Sequence, residues 1–241
     1  MSLADADRVV LDSCGSTSEE ARARFGGRPL WVLSHRQTAG RGRRGRNWAM
    51  QAGNFAASLA WQPPGGPADH ALRSFAASLA LAEALEGLGV GGLTLKWPND
   101  VLHRGAKLAG LLLENPVPGL LILGVGVNLA AAPEAHEIEG DALRPAALDG
   151  AIAPETLLDA LAPTFAAREA QLSAQGFAPI RDAWLARAHG LGARITARMM
   201  TETATGTFED LGPDGRLILA TPLGRRAIPA GDVFFEGAPC S

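Results

Sequence analysis

The sequence predicts an α/β chain in two unequal parts: a large region of interspersed strands and helices over 1–189 and a small all-β region over 190–241. Three observations carry this expectation. The 241 residues suffice for one large domain with a small appendage. Short apolar runs alternate with long alanine-rich stretches of helical spacing as far as Ala188. Beyond Gly190 the texture changes to brief alternating runs, ITARM, TGTFEDL, RLILAT and RRAIPAGDVFF, broken by Gly-Pro-Asp-Gly and Pro-Leu-Gly turns, which read as a small β-barrel.

In chain order, Ser16-Thr17-Ser18 followed by Glu19-Glu20 reads as the N-cap and first turn of a short helix, with acids where the macrodipole favours them. Leu30 to His35 reads as a buried strand. Arg36 to Gly53 holds five arginines and four glycines without any hydrophobic period, so it is a long loop, the kind that in a compact domain usually serves function. Asn54 to Trp61 resumes as a strand, and His70 to Leu88 is a buried helix with alanine-rich faces. Leu93 to Trp97 is a short strand stopped by Pro98. Asp100 to His103 and Lys107 to Glu114 are strands joined by a tight turn at Arg104-Gly105-Ala106, and Leu120 to Asn128 pairs back on the second of them. Pro154 to Gln175 and Pro179 to Ala188 carry helical periodicity, with Pro163 expected to kink or split the first.

Composition excludes several classes of function. The chain is 47% hydrophobic and 20% charged. No apolar run approaches the roughly 18 residues of a membrane span. The start, MSLADADRVV, does not read as a secretory signal. Cys14 and Cys240 lack metal-ligand spacing and suggest free, structural or incidental thiols in a reducing, cytoplasmic compartment. Ala21 to Ala68 contains eight arginines and no acid, against 14 basic and 25 acidic residues elsewhere. A local cation excess in an otherwise acidic chain points to an anionic ligand at one site and away from an extended nucleic-acid surface.

Lysine usage sharpens this. There are 20 arginines but only two lysines, Lys96 and Lys107, within twelve residues of each other. Where arginine serves as the generic cation, a retained lysine suggests a need for a compact point charge, as at a phosphate.

Gly40-Arg41-Gly42-Arg43-Arg44-Gly45 fits G-x-G-x-x-G, yet it leads within a few residues to another strand and not into a helix, so it is no dinucleotide fingerprint; a P-loop motif is absent. The loop offers guanidinium groups and backbone amides on a glycine frame, an anion clamp that can close on phosphate. A solvated basic loop or a nucleic-acid arm is the plainer alternative. Trp48 can stack on an adenine or pack in the core. Lys96-Trp97-Pro98-Asn99-Asp100 sets a cation, an aromatic, an amide and a carboxylate at a strand end. Asp100 there could hold Mg2+ carried by ATP, or simply form an Asx turn with a surface ion pair. Lys107, opening LAGLLLE, could face a ligand or snorkel outward.

Taken together, Ser16-Thr17-Ser18, RQTAGRGRRGRNW from Arg36, KWPNDVL from Lys96, KLAGLLLE from Lys107 and GVGVN from Gly124 resemble, in order, the motifs of biotin protein ligases. The resemblance spans essentially the whole chain, including an SH3-like C-terminal barrel ending in GDVFF. It implies a mixed sheet with helices on one side, the fold shared with lipoate ligases and related to class II synthetases. It also implies an ATP-dependent ligase that makes biotinyl-5'-AMP and passes biotin to a lysine of a biotin carboxyl carrier protein, as in acetyl-CoA carboxylase. By the same resemblance Ser16, Thr17, Ser18 and Gln37, with the Gly40, Arg41, Gly42 and Arg43 stretch, Lys107 and Gly110, bind biotin, its valeryl chain lying near Gly110 and Leu112. Arg43, Arg46, Trp48, Asn99, Lys107 and Asn128 bind ATP or the adenylate. Lys107, Arg43, Arg46 and Asp100 are the catalytic set, with Asp100 also the expected seat for Mg2+.

The chain departs from the family's usual Ser-Thr-Asn in having Ser18, which puts the contact made by that amide in doubt. The 15 residues before Ser16 leave no room for the N-terminal helix-turn-helix of the repressor relatives, so the monofunctional form is expected, with no specific DNA or membrane partner and homodimer formation left open. The alternatives are a lipoate or octanoate ligase on the same fold and a nucleic-acid-binding protein using the arginine loop.

Overall fold

The computed structural model describes residues 3–134 and 143–235. Cys240 lies outside them. Seven strands form the larger sheet: β1 (Asp7–Leu11), β2 (Leu30–Ser34), β3 (Phe55–Trp61), β4 (Leu93–Lys96), β5 (Asp100–His103), β6 (Ala106–Val117) and β7 (Leu120–Val127). Their order is β1-β2-β3-β7-β6-β5-β4, with β1 and β2 parallel and every other pair antiparallel, so the sheet is mixed as expected. The exposed edge strand β1 has no counterpart in the sequence reading, because DRVVL is too short and too exposed to show a period.

Period-two alternation gives the sheet two different faces. Leu33 of β2, Leu59 of β3 and Leu123 of β7 turn toward α2 (Pro67–Gly87) and α3 (Pro154–Gln175), where the main core lies. Val32, Ala60 and Ile122 turn the other way, against Ala21 of the short helix α1 (Thr17–Arg24). Helices therefore cover both faces, contrary to the one-sided expectation: the long α2 and α3 and the short α4 (Ala178–Leu185) belong to one face and α1 to the other. The consequence for function is direct. Ser58, Gly110, Leu112, Gly124 and Gly126 share the α1 face, which is left largely open beyond that helix's eight residues.

Two local expectations are corrected. Ser16 occupies the N-cap position of α1 with extended backbone but makes no side-chain cap bond; Gln37 Oε1 accepts from the Thr17 amide at 2.9 Å instead. α3 is not split by Pro163, which is exposed on the solvent side of the helix, while Thr164 Oγ1 donates to Ala160 O at 2.7 Å. The β5–β6 turn is as expected. Arg104 (φ 51) and Gly105 (φ 84) give the doubly left-handed pair of a two-residue hairpin closed by His103 and Ala106.

The C-terminal sheet contains β8 (Arg194–Arg198), β9 (Thr203–Leu211), β10 (Leu217–Thr221), β11 (Gly224–Ile228) and β12 (Asp232–Phe235). All pairs are antiparallel in the order β11-β10-β9-β8-β12. Among the described residues β11 and β12 do not pair, so this sheet is open where a closed barrel was expected. Its inner side chains, Ile195, Phe208 and Leu219 among them, continue the main core instead of forming a separate one. Trp97 Nε1 donates to Gly215 O at 3.1 Å across the junction. No helix among the described residues is long and apolar enough to cross a membrane.

Candidate functional site

A cavity of about 1250 Å³ opens on the α1 face, between the large sheet and the edge of the C-terminal one. Its size exceeds the roughly 300–1,000 Å³ usual for a single small ligand. It has a neutral end, a glycine floor and a charged end.

The neutral end is built on the start of α1. Thr17 Oγ1 donates to Gln37 Oε1 at 3.1 Å and lies 2.8 Å from Ser58 Oγ, and Ser18 Oγ lies 3.1 Å from the same hydroxyl. Ser16, Thr17, Ser18 and Ser58 are all buried, and the hydroxyls of the last three satisfy one another and hold their positions. Gln37 is placed by the parallel bridge between its backbone and Cys14. Cys14 is a free thiol whose pKa burial raises, against the opposing hydrogen bond of Ser34. The Ser18 hydroxyl is taken up by Ser58, a partner 40 residues away that no motif announces.

The floor is made of glycine. Gly110 of β6 is directly paired with Gly126 of β7, and Leu112 with Gly124. A Cβ on Gly126 would meet the Trp48 indole at 2.4 Å, one on Gly110 would meet it at 3.1 Å, and one on Gly124 would come within 3.1 Å of Ser18 Oγ. Only hydrogen at Gly110 and Gly126 lets the Trp48 indole lie on the strands, and only hydrogen at Gly124 leaves the Ser18 hydroxyl in place.

The charged end begins with Lys107, whose Nζ is 2.9 Å from Asp100 Oδ1 and 6.0 Å from the Trp48 ring centroid. Asp100 is the register partner of Lys96 across β4 and β5, so both lysines converge on one carboxylate. Desolvation lowers the pKa of Lys96, with Asp100 opposing and Lys107 adding to the shift. Lys96 lines the cavity and was not given a role by the sequence reading, although the scarcity of lysine had singled it out. Asn99 is strapped to β6 through a hydrogen bond to Leu111 O, and its Oδ1 accepts from Arg43 Nη1 at 3.4 Å.

The arginine loop folds back on itself as a hairpin. Gly42 N donates to Arg46 O and Trp48 N to Gly40 O, at 2.7 and 2.9 Å, around a single turn at Arg43–Gly45. Gly40 cannot be replaced cheaply, since a Cβ would lie 2.4 Å from Gln37 Nε2 and 2.7 Å from Trp48 O. Arg41 pairs with Glu19 Oε1 at 2.9 Å. At the tip, Arg44 and Arg46 both donate to Asp232 Oδ2, the former at 2.7 Å, and Arg43 reaches Gly231 O at 3.5 Å. Burial lowers the pKa of Arg43, with Asp232 opposing. Burial alone would raise Asp232, but the hydrogen bond from Arg46 and the charges of Arg46, Arg44 and Arg43 hold it below the usual carboxylate range.

Most of the expected site residues therefore meet in one cavity, lined by Ser16, Thr17, Ser18, Gln37, Arg41 and Gly42 toward one end. Arg43, Arg46, Trp48, Asn99, Asp100, Lys107 and Gly110 line the remainder. Gly40 shapes the hairpin from behind. Asn128 is not among the described residues that line the cavity: it is buried past the end of β7, where its backbone N–H donates to Leu108 O. No cluster of three metal-ligating side chains exists among the described residues.

Comparison with known proteins agrees with this geometry. Residues 16–128 match the model of the biotin/lipoate A/B protein ligase family, and residues 190–236 that of the biotin protein ligase C terminal domain. The chain is 51% identical over 218 residues to a biotin--[acetyl-CoA-carboxylase] ligase of Paracoccus denitrificans, covering 86% of this chain and 90% of that one. It is 34% identical to the ligase of the same description from Mycobacterium tuberculosis, covering 93% and 87%. Its fold superposes on the biotin protein ligase of Aquifex aeolicus, solved with biotin and ATP, at a TM-score of 0.83 with 23% identity, over 95% of this chain and 97% of the other.

Proposed function

The chain belongs to the biotin/lipoate A/B protein ligase family, and from that premise we propose that it is a biotin protein ligase, converting biotin and ATP to biotinyl-5'-AMP and pyrophosphate and then biotinylating a lysine of a carboxylase's carrier domain. The observation that carries this reading is the glycine floor of Gly110 and Gly126, with neutral hydroxyls at one end and Lys107, Asp100 and Arg43 at the other. One cavity thus accommodates an uncharged ring, an extended chain and a polyanion in line.

In the first step a carboxylate oxygen of biotin attacks the α-phosphorus of ATP and the bond to pyrophosphate breaks. Two anions must meet, so the protein's task is positioning and charge neutralisation. We assign Ser16, Thr17, Ser18 and Gln37, with backbone of the Arg41–Gly42 stretch, to the ring end of biotin, and the strip beside Gly110 and Leu112 to its chain. Lys107, Arg43 and Arg46 face the reacting phosphate. Trp48 and Asn99 flank the nucleotide. Asp100 is a single carboxylate already paired with an ammonium, which fits Mg2+ that arrives on the phosphates of ATP and not a resident protein cage.

In the second step the carrier's lysine amine attacks the acyl carbon, AMP departs, and we assign uptake of the amine's proton to Asp100. The mixed anhydride survives only while water and stray amines are kept out, which is the arginine hairpin's second task. We read residues 1–189 as the catalytic domain and 190–241 as its C-terminal partner, and place the reaction in the cytoplasm. Arg41, Arg44 and Arg46 each engage a protein carboxylate, which disfavours an open nucleic-acid arm.

Pyrophosphate release from ATP tests the assignment in one assay. Release with biotin, and none with lipoate or without acid, is expected. Release with lipoate alone would move the protein to the other branch of the family, and none with either acid would reject ligase activity.

A further inference from the structure

The arginine hairpin is shaped by its own backbone bonds, but these do not attach it to the rest of the molecule. Its base is tied through Arg41 to Glu19, and Arg43 in the turn reaches Asn99. Its tip is tied to the C-terminal sheet, where Asp232, the first residue of β12, accepts from Arg44 and Arg46 across 186 to 188 residues of sequence, and the adjacent Gly231 carbonyl accepts from Arg43. The Asp232 side chain is only 19% exposed, so the pairing is better shielded than an open surface ion pair. Arg44 takes φ 57 at the tip, a left-handed conformation that a non-glycine residue holds only when its surroundings demand it.

Asp232 also lines the cavity, so it competes for the same guanidinium groups as the phosphates of ATP. The competition changes during the reaction. ATP brings several negative charges, whereas the adenylate left after pyrophosphate departs keeps one phosphate. We propose that Asp232 is a latch: it takes back the hairpin arginines as pyrophosphate leaves and holds the hairpin down over the adenylate, so that the C-terminal sheet controls how long the intermediate is retained. This rests on the ligase reading above and adds to it a positioning residue outside the sheet that carries the chemistry.

The test uses the full-length protein with Asp232→Asn, which keeps shape and removes charge, Asp232→Glu as rescue, Arg44→Gln as the partner change, and the double variant. Three quantities are measured: biotin-dependent pyrophosphate release in a single turnover, the lifetime of protein-bound biotinyl adenylate, and biotin labelling of added serum albumin. Asp232→Asn and Arg44→Gln are each expected to shorten adenylate lifetime about tenfold and raise albumin labelling in step, with the first turnover changed less than about threefold. The double variant should be no worse than Asp232→Asn alone, because that change already removes the partner of Arg44. Asp232→Glu should restore most of the retention. A purely structural role would lower adenylation and retention together, and that outcome overturns the latch. So does unchanged retention in Arg44→Gln, a surface change that keeps the fold, or additive effects in the double variant. Absence of biotin-dependent pyrophosphate release from the unaltered protein would instead reject the ligase reading itself, so the two failures are distinguishable.

Discussion

The two ends of the cavity are built by opposite means. At the α1 end, Thr17, Ser18, Gln37 and Ser58 interlock through neutral hydrogen bonds within one sheet and the helix lying on it. At the other end, Lys96, Asp100 and Lys107 come from three adjacent strands, Arg43, Arg44 and Arg46 from a hairpin, and Asp232 from a different sheet. Neutral, buried bonds fix geometry and are indifferent to ionic strength, whereas partly exposed charges are held by a balance that a ligand's own charge can tip. The first end is suited to recognition and the second to a reaction in which charge enters and leaves.

The largest effect is expected at the charged end. Lys107→Ala removes the ammonium aimed at the phosphate and leaves Asp100 without its partner, and should slow adenylation by about 10²–10³-fold, read as biotin-dependent pyrophosphate release. Near-normal release would break the comparison outright, because no charge at that end would then be indispensable. Next is the floor that joins the ends. Gly126→Val forces the Trp48 indole away from a position its Cβ would occupy, and should raise the KM for both biotin and ATP by roughly tenfold or more without lowering the melting temperature comparably. An effect on one substrate alone would show that the floor serves only one end.

Thr17→Val deletes a hydroxyl that touches both Gln37 and Ser58, and should raise the biotin KM about tenfold with little change in the ATP KM. That increase should persist from low to high salt, in contrast to any defect at the charged end. The smallest effect concerns pH. Desolvation lowers the pKa of Lys96, so its charge is lost on raising pH sooner than an ordinary lysine's. If its charge assists the phosphate, kcat/KM for ATP should fall along an alkaline limb set by that depressed value, and Lys96→Arg should move the limb to higher pH. The same depression means the folded state binds fewer protons than the unfolded one between the two pKa values, so this group's contribution to stability rises with pH there and is absent below. An unmoved limb would assign the titration to another group.

The neutral end and the lysines were legible in the sequence because their signals are local or rare: a hydroxyl triplet before a helix, and two lysines among 20 arginines, eleven positions apart. Strand order on the site face was legible too, since Lys107 to Glu114 and Leu120 to Asn128 announce a hairpin that sets Gly110 beside Gly126. Ser58 and Asp232 were not, because each matters only through a partner brought close by tertiary folding. The one-sided placement of helices failed for a related reason: α1 is too short and polar for its single buried alanine to reveal which face it covers. Pro163 misled because propensity penalises a proline inside a helix, while exposure of that turn makes the lost bond tolerable. The C-terminal region looked separable by its texture, yet its apolar side chains complete the main core, so cutting the chain after Gly190 is a change to the whole fold and not the removal of an appendage.

The tryptophan lying on the glycine floor has a spectroscopic consequence. The chain has five tryptophans and no tyrosine. Trp31, Trp61, Trp97 and Trp184 are at most 3% exposed and sit inside the core, while Trp48 alone borders open solvent, with an ammonium 6.0 Å from its ring. Occupation of the floor changes the polarity around one indole out of five and leaves the other four in place. The unmodified molecule thus carries its own optical gauge of occupancy, free of tyrosine background, and its emission can time each arrival and departure without a label.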